Sequence, residues 1–372
     1  MIRRGSPIWL ARPSRFAAVD RRTARWLLAA LALLLLATFL AIATPVPVAD
    51  QNGAAAQAGA QSDLTLYQSI VDEVRHGGNY YVAAADAMRA GDYPLRPFVT
   101  MRLPTLAELL AVVPPAVSAI TLYLLTALVA MAWFARLLPV FARWLPRVVA
   151  MTLLAGGLIA FSQTGLTAFH EIWAGLFLAL SLALYRPEAW LPSVAMGLAA
   201  ALIRETAGLY LALMAVAALM AGRRREAFGW VAAGAVLALV LLLHAHAVAQ
   251  VVRPFDPVSP GWSGHLGFGL FVRAMSLSTA LALAPLWLAA PLVGLSLFGW
   301  AAWDDPLGAR MLTLLVAYAL VLGIFGRADT FYWGLLVAPI LLVGLAFVPD
   351  ALRDLAAAAS DRRRITVKRI VR

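Results

Sequence analysis

The chain has 372 residues, 63% of them hydrophobic and 13% charged, with a mean hydropathy of +0.83, whereas soluble domains carry roughly one quarter charged residues, so water is not its main solvent. The formal net charge of +11 comes from arginines clustered between apolar runs, which is the positive-inside pattern of a membrane protein and not a nucleic-acid patch. With no cysteine, disulfides, thiolate metal sites and a cysteine nucleophile are excluded; no phosphate-cradling glycine loop, zinc-protease helix motif or nucleophile elbow is present, which argues against a nucleotide-driven cytoplasmic enzyme.

Seven arginines (Arg3, Arg4, Arg12, Arg15, Arg21, Arg22, Arg25) make residues 1–25 a basic N-terminus, followed by an apolar run from Trp26 to Ala43. Its charged stretch is long for a signal peptide, and the run reads as an uncleaved first span. Further apolar stretches follow at Ala116 to Leu138, Pro146 to Phe161, Ile172 to Tyr185, Trp190 to Ile203, Thr206 to Ala221, Phe228 to Val248, Ser278 to Trp300, Met311 to Phe325 and Phe331 to Val348. The expected fold is all-α: a polytopic membrane protein of about ten transmembrane helices, several shorter than the nominal ~20 residues. The membrane domain then covers 26–348, and 349–372 is a basic tail.

Charge sets the orientation. With the N-terminus inside, Arg136, Arg143, Arg147, Arg186, Arg223, Arg224, Arg225 and the tail Arg362, Arg363, Arg364, Lys368, Arg369 and Arg372 all fall on the cytoplasmic side. This predicts a multi-pass protein of the bacterial inner (cytoplasmic) membrane with both termini cytoplasmic. The count depends on Trp190 to Ala221 being a hairpin of two short helices, since one long helix would bury Arg204 and Glu205 mid-membrane.

The largest extracytoplasmic loop is then 44–115. It opens with a small-residue linker, Asp50 to Gln61, and two amphipathic surface helices follow. Tyr67, Ile70, Val71 and Val74 share one face of the first, which stops at Gly77-Gly78; Tyr80 to Arg89 makes the second, ended by Gly91 and Pro94.

Polar residues that interrupt short apolar runs mark the candidate site. His170-Glu171 and Arg204-Glu205-Thr206 stand between spans of roughly 14 to 16 residues, only about 20 to 25 Å long, so they lie below the surface of a ~30 Å core. Arg327 and Asp329 reach the same side, as do Asp63, Tyr67, Asp72, Glu73, Tyr81, Asp86 and Arg102 of the first loop. A recessed outer cavity lined by carboxylates and arginines is the default site. Quieter roles fit the same residues. Arg204 with Glu205 or Glu171, and Arg327 with Asp329, suit structural ion pairs; His170 suits packing; Asp72 and Glu73 suit a solvated face. Asp63 suits a cap on a helix starting near Leu64. His244 and His246, spaced i and i+2, lie on different faces and do not make a joint metal site.

The stretches Ser62-Asp63-Leu64-Thr65-Leu66-Tyr67, Gly78-Asn79-Tyr80-Tyr81, Tyr93-Pro94-Leu95-Arg96-Pro97 and Met101-Arg102-Leu103-Pro104 follow a first span and lead into many others. The layout resembles the GT-C superfamily of polyprenyl-phosphate-sugar-dependent glycosyltransferases, in particular the bacterial members related to protein O-mannosyltransferases and aminoarabinose transferases. The resemblance implies sugar transfer from a membrane-anchored polyprenyl-phosphate donor to a lipid, glycan or protein acceptor outside the cytoplasm. It makes Asp63 the expected base, with Glu171, Asp72 or Glu73 as the alternative carboxylates. Arg102, Arg204 and Arg327 become phosphate ligands, and Tyr67, Tyr81, His170, Glu171, Glu205 and Asp329 substrate contacts. Some members of the superfamily use a divalent metal; no ligand cluster in this sequence demands one. The span count also suits a transporter or lipid flippase, against which stand the lack of an internal repeat and of mirrored hydropathy.

Overall fold

The computed structural model describes residues 7–45 and 54–360, with side chains omitted for 54–62. Arg3, Arg4, the start of the small-residue linker and the basic tail from 361 lie outside the described residues. Among the described residues the chain is helical without a strand; isolated bridges join Leu10 to Phe141 and Arg96 to Val258.

Asp20 caps α1 (Arg21–Thr38) by accepting from the N–H groups of Arg22 and Thr23, and α2 (Leu40–Ala43) continues it. The first loop holds α3 (Ala54–Arg75), α4 (Tyr80–Ala90) and α5 (Thr105–Val112). Asn79 caps α4 through Tyr81 and Val82. Ile70, Val71 and Val74 are buried as the amphipathic pattern requires, and α3 ends where Gly77 takes φ +93°, a conformation that favours glycine. The helix starts at Ala54, earlier than the capping role of Asp63 requires, so Asp63 sits inside α3 and is not its N-cap.

The membrane part follows with α6 (Pro115–Leu137), α7 (Trp144–Leu158), α8 (His170–Leu184), α9 (Leu191–Ile203), α10 (Gly208–Met220), α11 (Arg224–Val251), α12 (Gly267–Leu277), α13 (Leu286–Ala302), α14 (Pro306–Phe325), α15 (Ala338–Leu341) and α16 (Val348–Ser360). Among the described residues five helices are long and apolar enough to cross a bilayer: Arg21–Ala43, Pro115–Leu137, Trp144–Ser162, Arg224–Val251 and Pro306–Phe325. A sixth crossing results if the bent pair Ala328–Leu336 and Ala338–Ser360 is one span. The chain is thus a helical, multi-pass membrane protein by length and composition. The remaining predicted spans correspond to shorter apolar helices; α9 and α10, with 13 residues each, reach only about 20 Å.

Two predicted spans take a different form. Residues 278 to 300 divide between a 3-10 turn at Ala280–Leu283 and α13, because Pro285 starts a new helix and Thr279 caps the turn through Leu281 N–H. The last predicted span, Phe331 to Val348, runs largely as 3-10 helix (Ala328–Leu336 and Leu342–Phe347) and bends by 63°. Its backbone lies against glycines of neighbouring helices: a Cβ at Gly175 of α8 would run into Leu335 O, and one at Gly299 of α13 into Gly344 O.

At the centre stands α8, buried from His170 to Ala183 except at Phe177, as a helix apolar on all sides should be. It packs on α6, α9 and the Ala328–Leu336 segment. The two ends of the bundle differ. One carries α3, α4 and the turns at 159–169, 204–207, 252–266 and 326–332; the other gathers Leu10 with Phe141, Arg136 with Asp305, and Arg223 with Tyr185 and Glu226.

Candidate functional site

Between α3, α4 and the 327–333 turn lies a cavity of about 1130 Å³. Asp63, Tyr67, Glu73 and Asp86 line it from the surface helices, Tyr93, Met101 and Arg102 from the loop that follows, and Ser259, Trp262, Arg327, Asp329, Tyr332 and Trp333 from the far wall. Aromatic faces with a few convergent carboxylates and guanidinium groups are the usual make-up of a small-molecule site.

Asp63 is half-buried on α3. Its Oδ2 accepts from the Tyr332 hydroxyl at 2.9 Å. Burial pushes its pKa above the ordinary carboxylate value, and hydrogen bonds from Tyr332 and Tyr93 together with the charge of Arg102 pull the other way. Burial and these partners thus act on its charge in opposite directions.

Arg102 is the principal cation of the wall. Its Nε donates to the Tyr67 hydroxyl at 3.1 Å and its Nη1 to Glu205 Oε1 at 3.3 Å, which leaves Nη2 without a hydrogen-bond partner among the described residues. Arg327 makes a forked pair with Asp329 at the mouth, Nε to Oδ1 at 3.1 Å and Nη2 to Oδ2 at 2.7 Å, both side chains partly exposed.

The other predicted residues do not line this cavity. Arg204 is 1% exposed and Glu171 wholly buried; Arg204 Nε donates to Glu171 Oε1 at 2.6 Å, and its Nη1 pairs with Glu205. Its guanidinium stacks 5.6 Å over the ring of Trp333, which does line the cavity. His170 is buried against Tyr67, ring centroids 4.8 Å apart. Tyr81 turns away towards α11, where His244 lies 3.3 Å from its hydroxyl and 3.1 Å from Met101 O; His246 is exposed. Asp72 pairs with Arg75 on the solvent face of α3.

Among the cavity residues outside the predicted set are the aromatics Tyr332, Trp333 and Trp262, with Tyr93, Met101 and Ser259 beside them. The first two follow the polar Gly326 to Asp329 break directly, but stand where an apolar run begins and read as its start. Trp262 lies in a loop of Pro, Ser and Gly, whose aromatic was the available signal.

No protein-family model matches this chain, and no curated protein or solved structure matches it. Among the described residues no three of His, Asp and Glu come together in a way that could hold a metal ion.

Proposed function

We propose that this chain is a GT-C-type glycosyltransferase of a bacterial inner membrane, its cavity opening away from the cytoplasm, which moves a sugar from a polyprenyl-phosphate donor to a lipid, glycan or protein acceptor. The observation that carries this reading is the meeting, in one polar cavity, of a half-buried carboxylate held by a tyrosine, Asp63, with the guanidinium of Arg102, whose Nη2 has no hydrogen-bond partner among the described residues.

In this reading Asp63 takes the proton of the acceptor hydroxyl. The acceptor oxygen bonds to the anomeric carbon as the bond from that carbon to the phosphate oxygen breaks. The electron pair leaves with the phosphate, and the charge that grows on it is met by Arg102 and, at the mouth, Arg327. Trp262, Trp333 and Tyr93 offer ring faces to the sugar. The orientation is supported by the arginines Arg136, Arg143, Arg147, Arg186, Arg223, Arg224 and Arg225, which stand in the helix ends and connecting turns of the opposite end.

A second reading, a transporter or lipid flippase, draws on the bent, largely 3-10 segment from Ala328 to Phe347, since broken helices form substrate sites in transporters. One experiment separates the two. Purified protein in liposomes with a polyprenyl-phosphate sugar releases free polyprenyl phosphate and labels an envelope acceptor if it is a transferase. Movement of the lipid-linked sugar between leaflets with no such release supports the flippase and removes the transferase reading.

A further inference from the structure

We propose that Glu171, Arg204 and Glu205 form a buried relay that holds Arg102 in the cavity wall, so that Arg204 acts on the bound phosphate through Arg102 and never touches it. The phosphate rests on the transferase reading; the relay itself does not.

The groups alternate in sign along a single line. Glu171 Oε1 takes Arg204 Nε at 2.6 Å, Arg204 Nη1 meets Glu205 Oε1, and the same oxygen takes Arg102 Nη1 at 3.3 Å. Arg102 Nε then donates to Tyr67 at 3.1 Å. Burial deepens along the line. The side chains of Arg102 and Glu205 keep 14% and 16% exposure, those of Arg204 and Glu171 only 1% and 0%. Two arginines and two glutamates balance, which is the condition for keeping four ionised groups out of water.

Arg204 is therefore in the wrong layer for a ligand and in the right one for a support. Trp333 stands between it and the cavity, taking the guanidinium on its ring. The anchors come from three separate elements: α8 supplies Glu171, the end of α9 supplies Arg204, and the turn at Glu205–Ala207 supplies Glu205. Arg102 itself belongs to a loop, which has no regular hydrogen bonding of its own to fix a five-donor side chain. A loop arginine tied to the most buried helix of the bundle keeps its free nitrogen at one place, which is what oriented phosphate binding requires. The network also leaves Glu171 Oε2, Arg204 Nη2 and Glu205 Oε2 buried without a hydrogen-bond partner among the described residues. A cluster serving stability alone is expected to satisfy its members.

The test is a double-mutant cycle on the full-length protein in nanodiscs, read by binding of undecaprenyl phosphate and by the rate at which phenylglyoxal modifies Arg102, located by mass spectrometry. The charge-balanced variant Glu171→Gln with Arg204→Gln avoids stranding a buried carboxylate and keeps the fold testable. It is expected to bind the lipid phosphate roughly tenfold more weakly and to change the Arg102 modification rate by a similar factor, the scale of coupling between neighbouring charges. In an Arg102→Gln background the same pair of substitutions should weaken binding no further. Additive losses would make Arg204 a direct ligand, and wild-type affinity with an unchanged Arg102 rate would make the network purely structural; either result overturns the relay. Wild-type protein that binds no undecaprenyl phosphate removes the transferase reading, and the Arg102 modification rates then decide the relay by themselves.

Discussion

The Tyr332 hydroxyl donates to Asp63 Oδ2 at 2.9 Å, joining a surface helix of the first loop to the bent segment near the end of the chain, 269 positions away. Tyr332 is buried, and its ring meets Phe169 edge to face at 5.0 Å. The carboxylate on α3 therefore has a fixed direction, set by a buried side chain of the helix bundle.

Asp63→Asn should abolish transfer and leave the protein folded and inserted. The amide oxygen can still accept from Tyr332, but the side chain can no longer take a proton, which costs about 10²- to 10⁴-fold in rate. Turnover of the polyprenyl-phosphate sugar, measured beside thermal unfolding, checks both halves. Wild-type turnover in this variant would pass the role of base to Glu73, which also lines the cavity.

The pH dependence follows from the same contact. The base must be ionised, so transfer rises with pH through the pKa of Asp63, which burial sets above the ordinary carboxylate value while the Tyr332 hydrogen bond lowers it. Removing that bond in Tyr332→Phe takes away a lowering influence. The acid limb of the rate profile should move to higher pH, with the plateau rate less affected than the limb. A limb that stays in place, or moves to lower pH, would separate Tyr332 from the base.

How much of this was legible in the sequence depends on how far each feature is local. The face of α3 and the stop at Gly77 are written in spacing and in a glycine, and both were readable. The polar breaks at His170, Arg204 and Arg327 marked one end of the bundle, because charges interrupting short apolar runs have a mechanical meaning. Their depth was not readable. Whether Arg204 faces a cavity or pairs with Glu171 depends on how α8 and α9 pack, and both helices are too uniformly apolar to show an inner face. The form of the segment from Ala328 to Phe347, though not its apolar character, was unreadable for a related reason. An apolar run carries no sign of whether it winds as α or 3-10 helix, and its form is imposed by backbone contacts at Gly175 and Gly299.

Topology can be tested directly because the chain has no cysteine. Ser263 and Glu188 are both exposed and lie in turns of opposite ends. Cysteine at Ser263→Cys should react with an impermeant maleimide in intact cells, and cysteine at Glu188→Cys only after the membrane is opened. The reverse pattern would invert the molecule and place the cavity in the cytoplasm.

The last prediction concerns the end opposite the cavity, where Asp350 is fully buried. Its carboxylate accepts from the backbone N–H groups of Ile8, Trp9 and Leu10 at 2.6, 2.8 and 2.9 Å and pairs with Arg353 at 3.2 Å. Asp354 takes Ser14 through both its N–H and its hydroxyl. Together they clasp the segment before α1 to α16. Asparagine at 350 keeps the volume but turns an NH₂ donor toward N–H groups, so at least one buried donor loses its acceptor and the Arg353 pair loses its charge. Asp350→Asn should therefore cost about 1 to 3 kcal/mol of stability, the cost of leaving a buried donor unsatisfied, while Arg353, whose side chain is 24% exposed, keeps its pair with Asp354. Asp304→Asn is the control: its side chain is 70% exposed and 3.7 Å from Arg15, a surface pair worth about 0 to 1 kcal/mol. Thermal unfolding in detergent should fall clearly for the first and hardly for the second, while the turnover of the protein that remains folded is unchanged in both, since neither residue lines the cavity. Equal unfolding temperatures for the two variants would show that the clasp does not carry the stability assigned to it.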